Sequence, residues 1–141
     1  MRTSLSVRIR FVACLLLLTV PAWARSHSHP AKQADPSDPG YVLALATANQ
    51  FLHAWQTGDL ENGMVLLSDR VRHSQNADKV EQFFSNSTDR AFEITRGHGH
   101  PGRYSFPVVL VTAGTSRVTR RSSEIILVET GRNDWVVDKL P

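Results

Sequence analysis

"YVLALATANQFLHAWQTGD", residues 41–59, is the stretch whose reading decides the fold. Tyr41, Leu45, Ala48, Leu52 and Trp55 recur at steps of four and three, which puts them on one stripe of an α-helix. Asn49, Gln50, His53 and Gln56 fall on the other side, so the helix has one face to bury and one to leave in water. Gly58 suits the left-handed conformation after a last turn. Asp59 then predicts the cap of a second short helix whose Leu60, Met64 and Leu67 face inward.

Toward the C-terminus the period changes. "VRHS", residues 71–74, reads as a short extended piece, and Asn76 as the cap of a third helix carrying Val80, Phe83 and Phe84. Beyond it, "AFEITR" (91–96), "RYSFPVVLVTA" (103–113), "RVTRRSSEIILVET" (117–130) and "DWVVDKL" (134–140) are rich in Val, Ile, Thr and aromatics and are separated by glycine-containing turns. The expectation is an α+β fold, three N-terminal helices packed on a curved antiparallel sheet. Two strands are apolar on both faces: Val108 and Leu110 alternate with Val109 and Val111, and "IILV" at 125–128 behaves alike. Three short helices cover one face of such a sheet, so the other predicts a homodimer through the sheet.

Toward the N-terminus, Arg2, Arg8 and Arg10 precede the apolar run Phe11–Val20, too short for a membrane-spanning helix. "PAWA" follows, with Ala22 and Ala24 as the small residues before a cut. Residues 1–24 therefore read as a secretory signal peptide, and the protein as exported, to a periplasm or outside the cell. An anchor lipidated through Cys14 is the rival, but the leucines follow that cysteine instead of preceding it. Residues 25–40, "RSHSHPAKQADPSDPG", hold three prolines and two alanines as their sole hydrophobic residues and read as a flexible leader. The folded domain is then 41–141.

The 141-residue chain is 41% hydrophobic, enough for one domain with a core. Its formal charge of +3 comes from the three arginines of residues 1–24, so the mature chain is neutral. Arg96, Arg103, Arg117, Arg120 and Arg121 form no nucleic-acid patch, since Arg120 and Arg121 point to opposite faces of a strand. The expected partners exclude nucleic acid and, after cleavage, membrane. Cys14 is the single cysteine and leaves with the signal. Asn86-Ser87-Thr88 is a glycosylation sequon, relevant in a eukaryotic secretory pathway.

"ANQFLHAWQTGDLENGMVLLSDRV", residues 48–71, resembles the opening of nuclear transport factor 2-like domains: an amphipathic helix ending in an aromatic residue, Gly-Asp, then a short Leu-rich helix. "EIILVETGRNDWVVDKL", residues 124–140, resembles the last hairpin of that superfamily, with a Trp-containing final strand. The resemblance spans about residues 41–140 and implies a cystatin-like α+β cone with an internal pocket and frequent dimers. It embraces ketosteroid isomerases, dehydratases, epoxide hydrolases, polyketide cyclases and non-catalytic modules, so it does not choose a function.

Candidates for an acid or base inside the cone are Tyr41, His53, Asp69, His73, Glu93, Tyr104 and Glu124, of which Tyr41, His53 and Glu124 are the leading pocket residues. Glu124, buried in the cone, would have a raised pKa and serve as a base. No residue is assigned as catalytic, and no cofactor is expected. "GHGHPG", residues 97–102, supplies at most two imidazoles where zinc or copper needs three or four ligands, and reads as a turn. Cleavage after Ala24 would place His27 third from a free amine, an end that binds Cu(II) through four coplanar nitrogens. The expected function is an exported small-ligand-binding or accessory domain, its possible ligand small and apolar. The alternatives are an isomerase, lyase or hydrolase acting in the cone, and Cu(II) capture by the N-terminus.

Overall fold

The computed structural model describes residues 33–74, 77–85 and 89–141. The expected signal peptide, Cys14, His27, the Asn76 cap and the Asn86 sequon lie outside the described residues.

Helix α1 (Pro39–Thr57) opens on Asp38, whose Oδ1 accepts the Gly40 N–H at 3.0 Å. Pro39 fits the first helical position, where its missing N–H costs nothing. Tyr41, Ala44, Ala48, Phe51, Leu52, Ala54 and Trp55 are buried, a broader face than the five-residue stripe, because α1 is covered by sheet along its length. The helix stops at Gly58, φ 74°, whose N–H reaches the Trp55 carbonyl. Helix α2 (Leu60–Val65) is capped by Asp59, which accepts the Asn62 N–H at 3.1 Å.

Residues 69–73, expected to be extended, form helix α3 (Asp69–His73), so four helices stand where three were expected. Ser68 Oγ accepts the Val71 N–H at 3.3 Å, and Asp69 sits in the first turn where the helix dipole favours an acid. Five residues contain too little periodicity to reveal a helix, and the cap decides it. Helix α4 (Ala77–Phe84) buries Val80 and Phe84.

The domain also starts earlier than residue 41. Ala34 is buried, its N–H donates to the Gly97 carbonyl at 3.3 Å, and Gln33 bridges to His98. Residues 33–40, read as flexible leader, are thus held by backbone pairing and a cap that composition does not reveal.

The sheet comprises β1 (Asp89–Ile94), β2 (His98–His100), β3 (Arg103–Ala113), β4 (Val118–Gly131) and β5 (Asp134–Lys139), in the order β1-β3-β4-β5. β1 and β2 lie end to end along one edge of β3, and every pairing is antiparallel. The stretch read as a turn at 97–102 is a tight hairpin, with Pro101 and Gly102 joining β2 to β3. Gly97 is required there by contact: a Cβ would lie 2.6 Å from Phe106 Cδ1 and 2.8 Å from the Ser105 carbonyl oxygen. The edge of β5 is docked by the segment between α2 and α3, where Ser68 N–H donates to the Val137 carbonyl at 2.9 Å and Val137 N–H to the Leu66 carbonyl at 2.8 Å. The core fills the space between α1 and the inner sheet face around Phe51, Leu52, Phe106, Ile125, Leu127 and Val137, all 0% exposed.

Candidate functional site

The inner face of the β3–β4 pair changes character along its length. Tyr104 pairs with Leu127 and Phe106 with Ile125, all buried. Further along, Val108 pairs with Ser123, Leu110 with Arg121 and Thr112 with Thr119. The packed core therefore occupies one end of the sheet and leaves the other end concave. Trp55 at the end of α1 and Lys79, Gln82 and Phe83 of α4 face this second end and, with Leu110, Thr112, Thr119 and Arg121, line an open-mouthed hollow of 380 Å³.

Its apolar wall is rigidly built. Trp55 and Phe83 stack at 5.6 Å between ring centroids, and the buried Arg90 guanidinium lies 5.2 Å over the Trp55 ring. Arg90 also donates to the carbonyls of Trp55 and Phe84, tying the ends of α1 and α4 together, and desolvation lowers its pKa. The polar side is made by the two threonines, Gln82, Lys79 and Arg121. Arg121 donates through Nη2 to the main-chain oxygen of Pro141 at 2.9 Å. Among the described residues Lys79 has no carboxylate side chain within ion-pair distance.

None of the three leading candidates from the sequence lines this cavity. Tyr41 is buried at the packed end, where its hydroxyl accepts the Gly97 N–H at 3.1 Å and its ring meets Tyr104 edge-on at 5.4 Å. It braces the hairpin. His53 is exposed on the outside of α1, with its ring against Phe92 at 5.2 Å. It rims a 440 Å³ groove between α1 and α2, together with Asp59, Asn62 and Val65.

Glu124 projects from the opposite face of the sheet, away from the helices and outside the cone. Ile125 and Leu127 point inward, so Glu124, Ile126 and Val128 point outward. Its carboxylate lies 3.3 Å from Lys139 Nζ and 3.5 Å from His98 Nε2. The Ser105 hydroxyl first, and then Lys139 and His98, hold its pKa below the usual carboxylate range, opposite to the rise that burial in a cone would give. Glu93 is exposed on the same face, 3.9 Å from Arg120. Asp69 pairs with Arg72 at 2.6 Å on the surface of α3, and His73 Nδ1 donates to the Asp69 carbonyl at 2.9 Å. His98 and His100 share a face of β2 but gather no third ligand: among the described residues no three of His, Cys, Asp and Glu converge.

A carboxylate and a phenol do meet, at a 610 Å³ hollow outside the packed end, lined in part by Asp35, Asp38, Arg96, His100 and Tyr104. Tyr104 donates to Asp38 Oδ2 while its ring stacks on Trp135 at 5.4 Å. Burial, and then Asp38, push its pKa up to about 12. Both Asp38 oxygens are engaged, one by the phenol and one by the helix backbone. The pair fastens the start of α1 to β3, and its proton is held more tightly than in a free phenol. The Asp-Pro sequence before an apolar run was the available signal for Asp38 as a cap; nothing local pointed to Tyr104 as its partner.

No protein-family model and no curated protein matches the chain in sequence. In structure it is similar to a SEC-C motif-containing protein from Rhodopseudomonas palustris, with TM-score 0.56 and 9% identity over 67% of this chain and 73% of that one. It is also similar to an LEH-like epoxide hydrolase of M. tuberculosis, with TM-score 0.50 and 16% identity over 71% and 84% of the two chains. A designed nuclear transport factor 2 protein gives TM-score 0.53 and 15% identity, covering 67% of this chain and 91% of the design. Identities this low speak to backbone arrangement alone. Helices followed by an antiparallel sheet, closed at one end by aromatic packing and hollow at the other, give this chain the nuclear transport factor 2-like fold.

Proposed function

We propose that the protein is a small-ligand-binding or accessory domain acting after export, and that its ligand occupies the concave cavity between α4 and the β3–β4 pair. The single observation that carries this reading is the 380 Å³ hollow walled by Trp55, Phe83 and Leu110. A volume of that size, with an apolar wall facing a polar one, is within the roughly 300–1,000 Å³ of small-molecule sites. Among the described residues its lining holds no carboxylate, imidazole, thiol or phenol. Binding is therefore better supported than proton transfer. The isomerase, lyase or hydrolase alternative would rest on Asp38 and Tyr104, but these groups are committed to each other outside that cavity.

Export rests on the signal-like residues 1–24 and the homodimer on the outer sheet face, where Val109, Val111, Ile126, Val128 and Val136 are half-buried in the single chain. Charges border that patch, Glu93 with Arg120 on one side and Glu124 with Lys139 on the other.

Native mass spectrometry of the protein isolated from its own host tests the reading in one spectrum. The expected species is a dimer beginning at Arg25 that retains a small organic mass, and Thr112→Trp, which fills the cavity, releases that mass. Wild-type protein that retains nothing, or a Thr112→Trp variant that retains it equally, would count against a ligand in this cavity. A chain beginning elsewhere removes the His27 copper site.

A further inference from the structure

The outer face of the sheet carries one row of side chains that crosses four strands. His98 of β2 pairs with Ser105 of β3, Ser105 with Ile126 of β4, and Ile126 with Lys139 of β5. Glu124, the next outward residue along β4, is reached from both ends of that row, by His98 Nε2 at 3.5 Å and by Lys139 Nζ at 3.3 Å. Its carboxyl is held below the usual range, so it is ionised at neutral pH. One carboxylate therefore stands between a lysine and an imidazole, and an imidazole gains its charge on mild acidification. With His98 neutral the three groups sum to zero. With His98 protonated they carry a surplus positive charge, because Lys139 already balances Glu124.

The cluster sits among the half-buried Val109, Val111, Ile126, Val128 and Val136. Elsewhere on the face Glu93 lies 3.9 Å from Arg120, and Arg103 lies 3.7 Å from Asp138. A face that is apolar and balanced in charge fits a surface of the same composition, and a second copy of this chain presents one, with both signs available to meet their opposites. The groups around His98 come from every neighbouring strand. β2 itself adds His100, whose Nδ1 meets the Pro101 carbonyl at 2.9 Å, β3 adds Arg103, β4 adds Glu124 and β5 adds Lys139. Gln33 and Ala34, along the other edge of β2, bring no titratable group. Among the described residues Glu124 is the one acid within ion-pair distance of His98.

We infer that a second copy of this chain covers the outer sheet face while His98 is neutral, and that protonation of His98 separates the two copies. The inference rests on the homodimer reading above and adds its control. Both copies of the cluster enter one contact, so each proton taken up leaves a charge to be buried without a counter-charge. The contact is therefore present at neutral pH and is lost as pH falls through the imidazole range.

Sedimentation velocity of the purified protein at about pH 7.5 and about pH 5.5, either side of the imidazole range, tests this, with circular dichroism to follow the fold. The expected result is a dimer at the higher pH whose dissociation constant rises at least about tenfold at the lower, the effect of one proton excluded from the contact over one pH unit. His98→Gln is expected to hold the dimer equally at both. Lys139→Gln is expected to reverse the sign: Glu124 is then balanced only by a protonated His98, and the variant associates more tightly at the lower pH. A wild-type monomer at the higher pH and high micromolar concentration would overturn the homodimer reading and this inference with it. A wild-type dimer equally tight at both would overturn the switch and leave the dimer standing. Dissociation that His98→Gln retains, or that accompanies loss of the folded signal, would overturn the assignment to His98. A Lys139→Gln variant that still weakens on acidification would overturn the charge balance.

Discussion

The two ends of the inner face of the β3–β4 pair are made from the same strands in the same register, yet they do different things. At one end Tyr104, Phe106, Ile125 and Leu127 are at most 2% exposed and meet Tyr41, Phe51 and Leu52 from α1. At the other, Leu110, Thr112, Thr119 and Arg121 face a hollow. The packed end accounts for cooperativity and stability, and the open end, carrying few buried contacts, is free to vary in chemistry. What separates them is where α1 ends: Gly58 stops the helix beside Trp55, and the shorter α4 covers the remaining sheet incompletely. The site is the space that the helices do not fill.

Substitutions should divide along the same line. Phe106→Ala, at the centre of the packed end, is expected to destabilise the domain by about 3–5 kcal/mol, the sum of lost transfer energy and a cavity; denaturant titration measures it, and a loss under about 1 kcal/mol would mean the two ends do not differ as described. Gly97→Ala should cost about 1–3 kcal/mol, because its Cβ would press on both a ring and a backbone carbonyl that cannot move independently. A folded Gly97→Ala variant of wild-type stability would show that the hairpin is looser than its contacts imply.

The packed end is also fastened from outside. Asp138 accepts from Ser68 Oγ at 2.9 Å and Arg70 Nε at 2.9 Å, tying β5 to the start of α3. The bonds from Arg70 above all, helped by Ser68, hold the Asp138 pKa below its ordinary value. A carboxyl depressed in the folded state contributes stability that is present above its unfolded pKa, near 4, and is lost as pH falls through the lower folded value. Asp138→Asn is therefore expected to cost about 1 kcal/mol at pH 7, discounted for the exposure of Arg70, and to flatten the fall in stability below about pH 4. An unchanged acid limb in Asp138→Asn would assign that fall to other carboxylates. The smallest effect is expected at the open end: exposed Arg121→Gln should shift stability by no more than about 0.5 kcal/mol, and a larger loss would make its bond to Pro141 a structural one.

Much of this was legible from residue order. The buried stripe of α1, the stop at Gly58, the cap at Asp59 and four of the five strands lie where periodicity and turn chemistry put them, because these are properties of a few consecutive residues. Helix α3 was not legible, since a five-residue helix is decided by its cap and by docking on β5. Nor were residues 33–40, whose order depends on pairing with residues 97 and 98, far away in sequence.

The site divides in the same way. The sequence by itself determined that Arg120 and Arg121, or Glu124 and Ile125, point to opposite sides of a strand, since alternation is local geometry. It did not determine which side is in. "IILV" is equally apolar in both parities, so the hydrophobic pattern that ordinarily fixes a strand's inner face was silent at that point. Only packing against α1 chose Ile125 and Leu127 for the core. That one choice sent Glu124 to the outer face beside Lys139 and His98, and turned Arg121 toward the cavity.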